Sequence, residues 1–171
     1  MAGIVVCAYS DVGYRCTKWL LDEGEPVKLV YTHPDAPGEE RWWESVADLA
    51  RSRGVPVKLV DSLDAPSEEA VIRAAEPDFL FSFYFRKMIP ARVLAIPAKG
   101  ALNMHGSLLP AFRGRSPVNW AILKGAPVTG ALLAANAGVF AAQVSLAGNL
   151  RFALGGSGDR DPVVWNGILR W

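Results

Sequence analysis

Five short apolar runs constrain this chain more than any other feature. They are residues 3–9 (GIVVCAY), 27–32 (VKLVYT), 55–60 (VPVKLV), 78–84 (DFLFSFY) and 101–105 (ALNMH). Each is too short for a buried helix and is bounded by turn formers; the first four are rich in β-branched or aromatic side chains, and the fifth ends on polar residues. Each therefore reads as a strand, the first of them buried. Helical spacing fills the gaps between them. One helix is expected from about residue 14 to 22, with Asp11 as a candidate cap and Gly24 as its stop. A second over 45–53 puts Val46, Leu49 and Ala50 on one face before Gly54. A third spans 66–75 with Ser67 as a candidate cap, a short one spans 90–96, and another spans 117–123. Pro56 places the third strand near a sheet edge, because proline cannot donate to a ladder.

Alternating strands and helices at this spacing predict an α/β fold: a mostly parallel sheet with helices on both faces. At 171 residues and 51% hydrophobic, the chain is of a size and composition to bury one large core. Net charge is +1 and there is no basic run, so no electrostatic footprint for nucleic acid is present and no nucleic-acid partner is expected. No apolar run approaches the length of a membrane span, and no signal peptide is read at the start. A cytoplasmic protein with no membrane partner is the expectation. Cys7 and Cys16 have no metal-ligand spacing and read as buried or free thiols in a reducing compartment.

In parallel α/β sheets, ligands bind at the carboxyl ends of the strands. Asn103 and His105 fall there, at the end of the fifth strand, as do residues 83–86. The first strand is followed by Gly13 but by no G-x-G-x-x-G, and there is no P-loop, which argues against NAD and ATP. Strand alternation puts Asn103 and His105 on one side. An imidazole can take a proton from an attacking amine, and an amide N–H can hold the oxyanion of a tetrahedral intermediate. The pair thus suits acyl transfer by direct amine attack. Equally, spacing alone fits a core histidine bonded to backbone beside a turn-forming asparagine.

The surrounding residues decide between these. The stretch NMHGSLLPAFRGRSPVNWAIL, starting at Asn103, resembles the signature of the 10-formyltetrahydrofolate-dependent formyltransferases, N-x-H-x-S-L-L-P-x-x-R-G. The resemblance spans about residues 1–130. VYTHPDAPGEERWWESVADLARSRGVPVK and FSFYFRKMI look most like the sugar-nucleotide branch, in particular the formyltransferase domain of the bifunctional enzyme that modifies UDP-4-amino-4-deoxy-arabinose for lipid A.

The resemblance implies a Rossmann-like formyltransferase fold, 10-formyltetrahydrofolate as co-substrate and an amino sugar nucleotide as acceptor. It implies His105 as general base and acid, and Asn103 as oxyanion stabiliser. Arg86, Lys87, Met88 and Ile89 would lend backbone groups to the pteridine. Arg115 would contact the folate, whereas Arg113 reads as a solvated loop residue. Leu109-Pro110 is a candidate cis peptide. Phe81, Phe83 and Phe85 read as alternating core, and Trp42 and Trp43 as a cover for the loop at His33.

The family also carries a catalytic aspartate in D-x-G-x-I-x-x-Q. The best match is NAGVFAAQ, with Asn136 at the aspartate position, and no aspartate stands between Asp78 and Asp159. The link from Gly130 to Asn136 is shorter than the family pattern, and the family's T-L-H strand after Gly130 is absent. Residues 131–171, rich in Ala and Gly, read poorly as helix or strand. They are expected to be a divergent tail, a truncated or altered remainder of the same domain.

Three readings follow: an N-formyltransferase on an amino sugar nucleotide, impaired by the lost carboxylate; a folate- or nucleotide-binding remnant with little catalysis; and a methionyl-tRNA formyltransferase, which the near-neutral charge disfavours.

Overall fold

The computed structural model describes residues 2–35, 38, 42–114 and 116–126, together with the backbone of 132–137 and 140–144. The chain runs β1 (Ile4–Ala8), α1 (Ser10–Asp22), β2 (Val27–Thr32), α2 (Val46–Ser52), β3 (Val57–Leu59), α3 (Pro66–Ala74), β4 (Phe79–Phe83), α4 (Ala91–Leu94), β5 (Gly100–His105), α5 (Pro117–Leu123), β6 (Leu132–Ala137) and β7 (Phe140–Val144). The strands form one sheet in the order β3-β2-β1-β4-β5-β6-β7. β3, β2, β1, β4 and β5 pair in parallel, and β6 and β7 join in antiparallel fashion. The expected α/β architecture with a mostly parallel sheet is what the chain adopts. β3 stands at one edge of the sheet, and Pro56 serves it as an acceptor, its carbonyl taking the Val30 N–H at 2.9 Å.

Strand alternation divides the core between the two faces. Ile4, Val6, Ala8, Phe79, Phe81, Phe83 and Met104 pack with Cys16 and Leu20 of α1 and with Val46 and Ala50 of α2. On the other face Val5, Cys7, Leu29, Tyr31, Leu80 and Ala101 meet Ile72 of α3 and Val93 of α4. Both thiols are free and buried. Burial pushes the Cys16 thiol up to about 12 and Cys7 still further, so neither supplies a thiolate near neutral pH.

Two capping expectations are corrected. α1 begins at Ser10, which places Asp11 inside its first turn, and no side chain caps it. α3 begins at Pro66 behind Ala65, so Ser67 is likewise inside the helix. Proline at the first position presets the helical φ and gives up an N–H that would be unpaired anyway. Ser45 does cap α2, accepting the Asp48 N–H at 3.2 Å. A third correction concerns residues 132–144. Their Ala-rich sequence has little strand propensity, yet β6 and β7 extend the sheet past residue 130, because pairing of β6 with β5, and of β7 with β6, supplies what local propensity does not.

Candidate functional site

β1, β2, β4 and β5 end side by side, and their carboxyl ends build the site. Gly13 lets α1 start against this edge. A Cβ there would lie 3.1 Å from both the Ala8 carbonyl carbon and the Phe83 oxygen. The Tyr9 N–H donates to the Phe83 carbonyl at 3.1 Å, locking the ends of β1 and β4 together.

On β5, Asn103 and His105 are both half-buried and two residues apart, about 7 Å along an extended strand and on the same side. Met104 between them turns to the opposite face, where its sulfur meets the Cys16 thiol at 4.0 Å. Asn103 pairs in register with Ser82 of β4. His105 Nε2 lies 3.4 Å from the Phe112 carbonyl. The Ser107 hydroxyl donates to the Ala111 carbonyl at 2.7 Å, and the Ala111 N–H donates to the Leu108 carbonyl at 3.0 Å. The loop after β5 therefore folds back over the histidine. It contains the expected cis peptide at Leu109-Pro110. Gly106 is buried beneath it, and a Cβ there would come within 2.7 Å of the Tyr84 hydroxyl. Arg113 is exposed. Arg115 lies outside the described residues.

β4 delivers residues 84–89 to the same edge. Tyr84 takes a left-handed φ of 56°, which breaks the strand alternation. Phe85 consequently leaves the row formed by Phe81 and Phe83, whose rings stack at 5.6 Å, and packs on the other face of the sheet. The reading of Phe85 as a third member of that row is thus corrected. Its ring stacks on His33 at 4.1 Å. Lys87 and Met88 are exposed at the tip of this loop, and Ile89 packs back on the second cluster.

His33 is the feature that sequence reasoning passed over. It follows β2 and is buried. Its Nδ1 lies 2.9 Å from the Val60 carbonyl, and its Nε2 lies 3.1 Å from the Arg86 amide nitrogen. A carbonyl can only accept and an amide N–H can only donate, so the ring is neutral, with its proton on Nδ1. Burial holds its pKa below the ordinary histidine value, and the nearby Arg86 charge acts in the same direction. Tyr9 meets the ring edge-on at 5.4 Å, Trp43 meets Tyr9 at 5.8 Å, and the Arg86 guanidinium lies 4.2 Å over Tyr9. Trp43 thus does cover this corner through Tyr9, whereas Trp42 is 76% exposed. A cavity of about 200 Å³ opens beside the cluster, lined by Tyr9, Thr32, His33, Asp35, Asp48 and Arg51 among others.

Asn136 does not join His105. The antiparallel register sets His105 opposite Leu132 and Asn136 opposite Ala101. Four residues of strand separate the two positions, about 13 Å. Matching NAGVFAAQ to the family's aspartate motif therefore puts the matched residue at the wrong end of β5.

Fold and edge together define a doubly wound α/β protein with an Asn-x-His pair at the carboxyl end of a central strand. A profile of the Formyl transferase family matches residues 25–135, so the chain belongs to that family; the match ends just before Asn136. Solved structures share the fold. Glycinamide ribonucleotide transformylase 1 from Symbiobacterium toebii is 21% identical, with a TM-score of 0.64 over 84% of this chain and 73% of that one. Phosphoribosylglycinamide formyltransferase from Bacillus halodurans is 20% identical, with a TM-score of 0.60 over 90% and 87%. A formyltetrahydrofolate deformylase from Pseudomonas syringae pv. tomato is 16% identical, with a TM-score of 0.63 over 90% and 56%. Among the described residues no helix is long and apolar enough to cross a membrane.

Proposed function

We propose that the chain transfers a formyl group from 10-formyltetrahydrofolate to the primary amine of an amino sugar nucleotide. The observation that carries this is the placement of Asn103 and His105 on one side of β5 at the carboxyl edge, within a family match that spans both residues. The folate would lie against the loop 84–89, whose exposed Lys87 and Met88 face solvent at the same edge. Arg115 is proposed to contact it. In the reaction the amine nitrogen attacks the formyl carbon. Asn103 donates to the oxygen as it gains charge, and His105 removes the amine proton and returns it to N10 of the folate as the C–N10 bond breaks. The products are a formamide and tetrahydrofolate. The acceptor class rests on the likeness of residues 30–58 and 81–89 to the sugar-nucleotide branch.

A second reading, a folate-binding protein with little turnover, is favoured by two observations. No Asp or Glu stands between Asp78 and Asp159, and the register takes Asn136 away from His105. The imidazolium formed during transfer therefore has no carboxylate from this stretch beside it. One assay separates the readings. Purified protein is given 10-formyltetrahydrofolate with UDP-linked and dTDP-linked amino sugars, and with glycinamide ribonucleotide as the acceptor named for the structural neighbours. Formylated amino sugar, detected by mass spectrometry and lost in His105→Ala, supports the first reading. Folate binding without any formylated product supports the second, and product from glycinamide ribonucleotide alone overturns the acceptor class.

A further inference from the structure

We propose that His33 is a positioning residue for the folate: a neutral imidazole that ties the backbone of residues 84–89 to the end of β3 and so sets the shape of the surface on which the pteridine would rest. The proposal rests on the folate reading above only for what lies on that loop. The tie itself stands on the geometry.

The loop leaves β4 through Tyr84 at a positive φ, a conformation disfavoured for a non-glycine residue that persists only where neighbours enforce it. His33 is placed to enforce it. It stands on a different strand and reaches the loop by two contacts, the Arg86 N–H donating to Nε2 at 3.1 Å and the Phe85 ring stacked at 4.1 Å. The imidazole cannot swing away, because its Nδ1–H is held by Val60 at 2.9 Å and Tyr9 flanks it. One side chain thus connects the ends of β2, β3 and β4. His33 itself lies about 14 Å from β5, three strand spacings across the sheet, so it does not act on the reacting atoms. Its effect travels through the loop.

The tie depends on protonation. A proton on Nε2 removes the acceptor and leaves two donors, the imidazole and the Arg86 amide, facing each other. Arg86 and Lys87 also oppose the added charge. Asp61 favours it; Asp35, and Asp48 and Arg51 of α2, line the same cavity as His33; and Glu68 on α3 lies on the same face of the sheet but is committed to Lys58 and Tyr31. Acidification should therefore release the loop, with the midpoint below the ordinary histidine range.

Three measurements on the full chain test this. Amide hydrogen exchange over residues 84–89, without folate, reads the tie directly. The wild type should be protected at neutral pH and lose protection on acidification. At neutral pH His33→Ala should exchange at least tenfold faster than the wild type, and the difference should vanish on acidification as the wild type loses its tie. His33→Gln, whose amide can both accept and donate, should stay protected and lose the pH dependence. Binding of the unreactive analogue 5-formyltetrahydrofolate should follow the same pattern, with His33→Ala about tenfold weaker. In turnover, the loss in His33→Ala should fall on KM for folate rather than on kcat. Equal protection of the loop in the wild type and His33→Ala overturns the proposal. Altered protection with no folate binding in any variant keeps the tie and overturns the folate reading instead.

Discussion

At the scale of single residues, His105 carries the proposed chemistry and little of the fold. It is half-buried at a strand end and touches its own loop through one long contact at 3.4 Å. His105→Ala is therefore expected to abolish formyl transfer while moving stability by less than about 1 kcal/mol, within the range of changes that leave no core cavity. Turnover and a urea melt on the same preparation check both halves, and comparable turnover in the two proteins rules out the role. Position 136 gives the opposite expectation. A carboxylate restored beside the histidine could matter by decades, as the amide-for-carboxylate change in the serine-protease triad illustrates. The register, however, places residue 136 opposite Ala101. Asn136→Asp should thus leave turnover within about twofold, and a large gain would show that this pairing register is wrong. The two histidines also mark what sequence reading can reach. His105 was legible because its partner in chemistry is two residues away and its motif is contiguous. His33 was not, because the groups that give it a task are 27 and 53 residues distant in sequence. Only the strand order brings them together.

At the scale of elements, the five parallel strands were legible as short runs between turn formers; β1, β2 and β4 bury both faces and so are apolar along nearly all their length, whereas the edge strand β3 and the site strand β5 are only partly buried. What failed were features that depend on neighbours. Asp11 and Ser67 look like caps, but the helices start earlier, where Gly13 and Pro66 allow it. β6 and β7 have no local signal, since β6 is held extended by pairing with β5 and β7 by pairing with β6. The junction of α1 with the strand ends offers the sharpest element-level test. A Cβ at Gly13 would press on the backbone of both β1 and β4 at 3.1 Å, and backbone in a parallel sheet cannot step aside as a flexible side chain can. Gly13→Val adds two further methyl groups to that contact. It should cost about 2–3 kcal/mol, in the upper range for overpacking, and outweigh the small gain in helix propensity that any side chain brings over glycine. A urea melt should show a lower midpoint with an unchanged slope. A midpoint equal to that of the wild type would mean that α1 does not seat as closely as described.

At the scale of the whole molecule, the ionisable groups tied into the sheet predict an acid limb of stability with two steps. The lower step belongs to carboxylates. The side chain of Lys99 and the Gly3 N–H hold Asp78 below the usual aspartate value. Burial pulls Glu68 upward, but hydrogen bonds from Lys58 and Tyr31 outweigh it and leave it below the ordinary glutamate value. A carboxylate depressed on folding gives stability that is fully present above its unfolded pKa, near 4, and is lost as pH falls through the folded one. The upper step belongs to His33. Its folded pKa lies below the unfolded value near 6.5, so between those two pH values the unfolded chain binds the extra proton and stability declines with acidification. The sign is the same for both steps, but the windows differ. Stability should be level above about pH 7, fall gently from about 6.5 downward, and fall more steeply below about 4. Thermal melts of the wild type and His33→Gln across pH 3 to 8 decide it. The variant should lose the upper step and keep the lower one, because glutamine binds no proton while the contacts of Glu68 with Lys58 and Tyr31, and of Asp78 with Lys99 and the Gly3 N–H, are untouched. A wild-type profile flat from pH 8 to 5, or an upper step that survives in His33→Gln, would show that His33 is not held neutral by its burial and its two backbone partners.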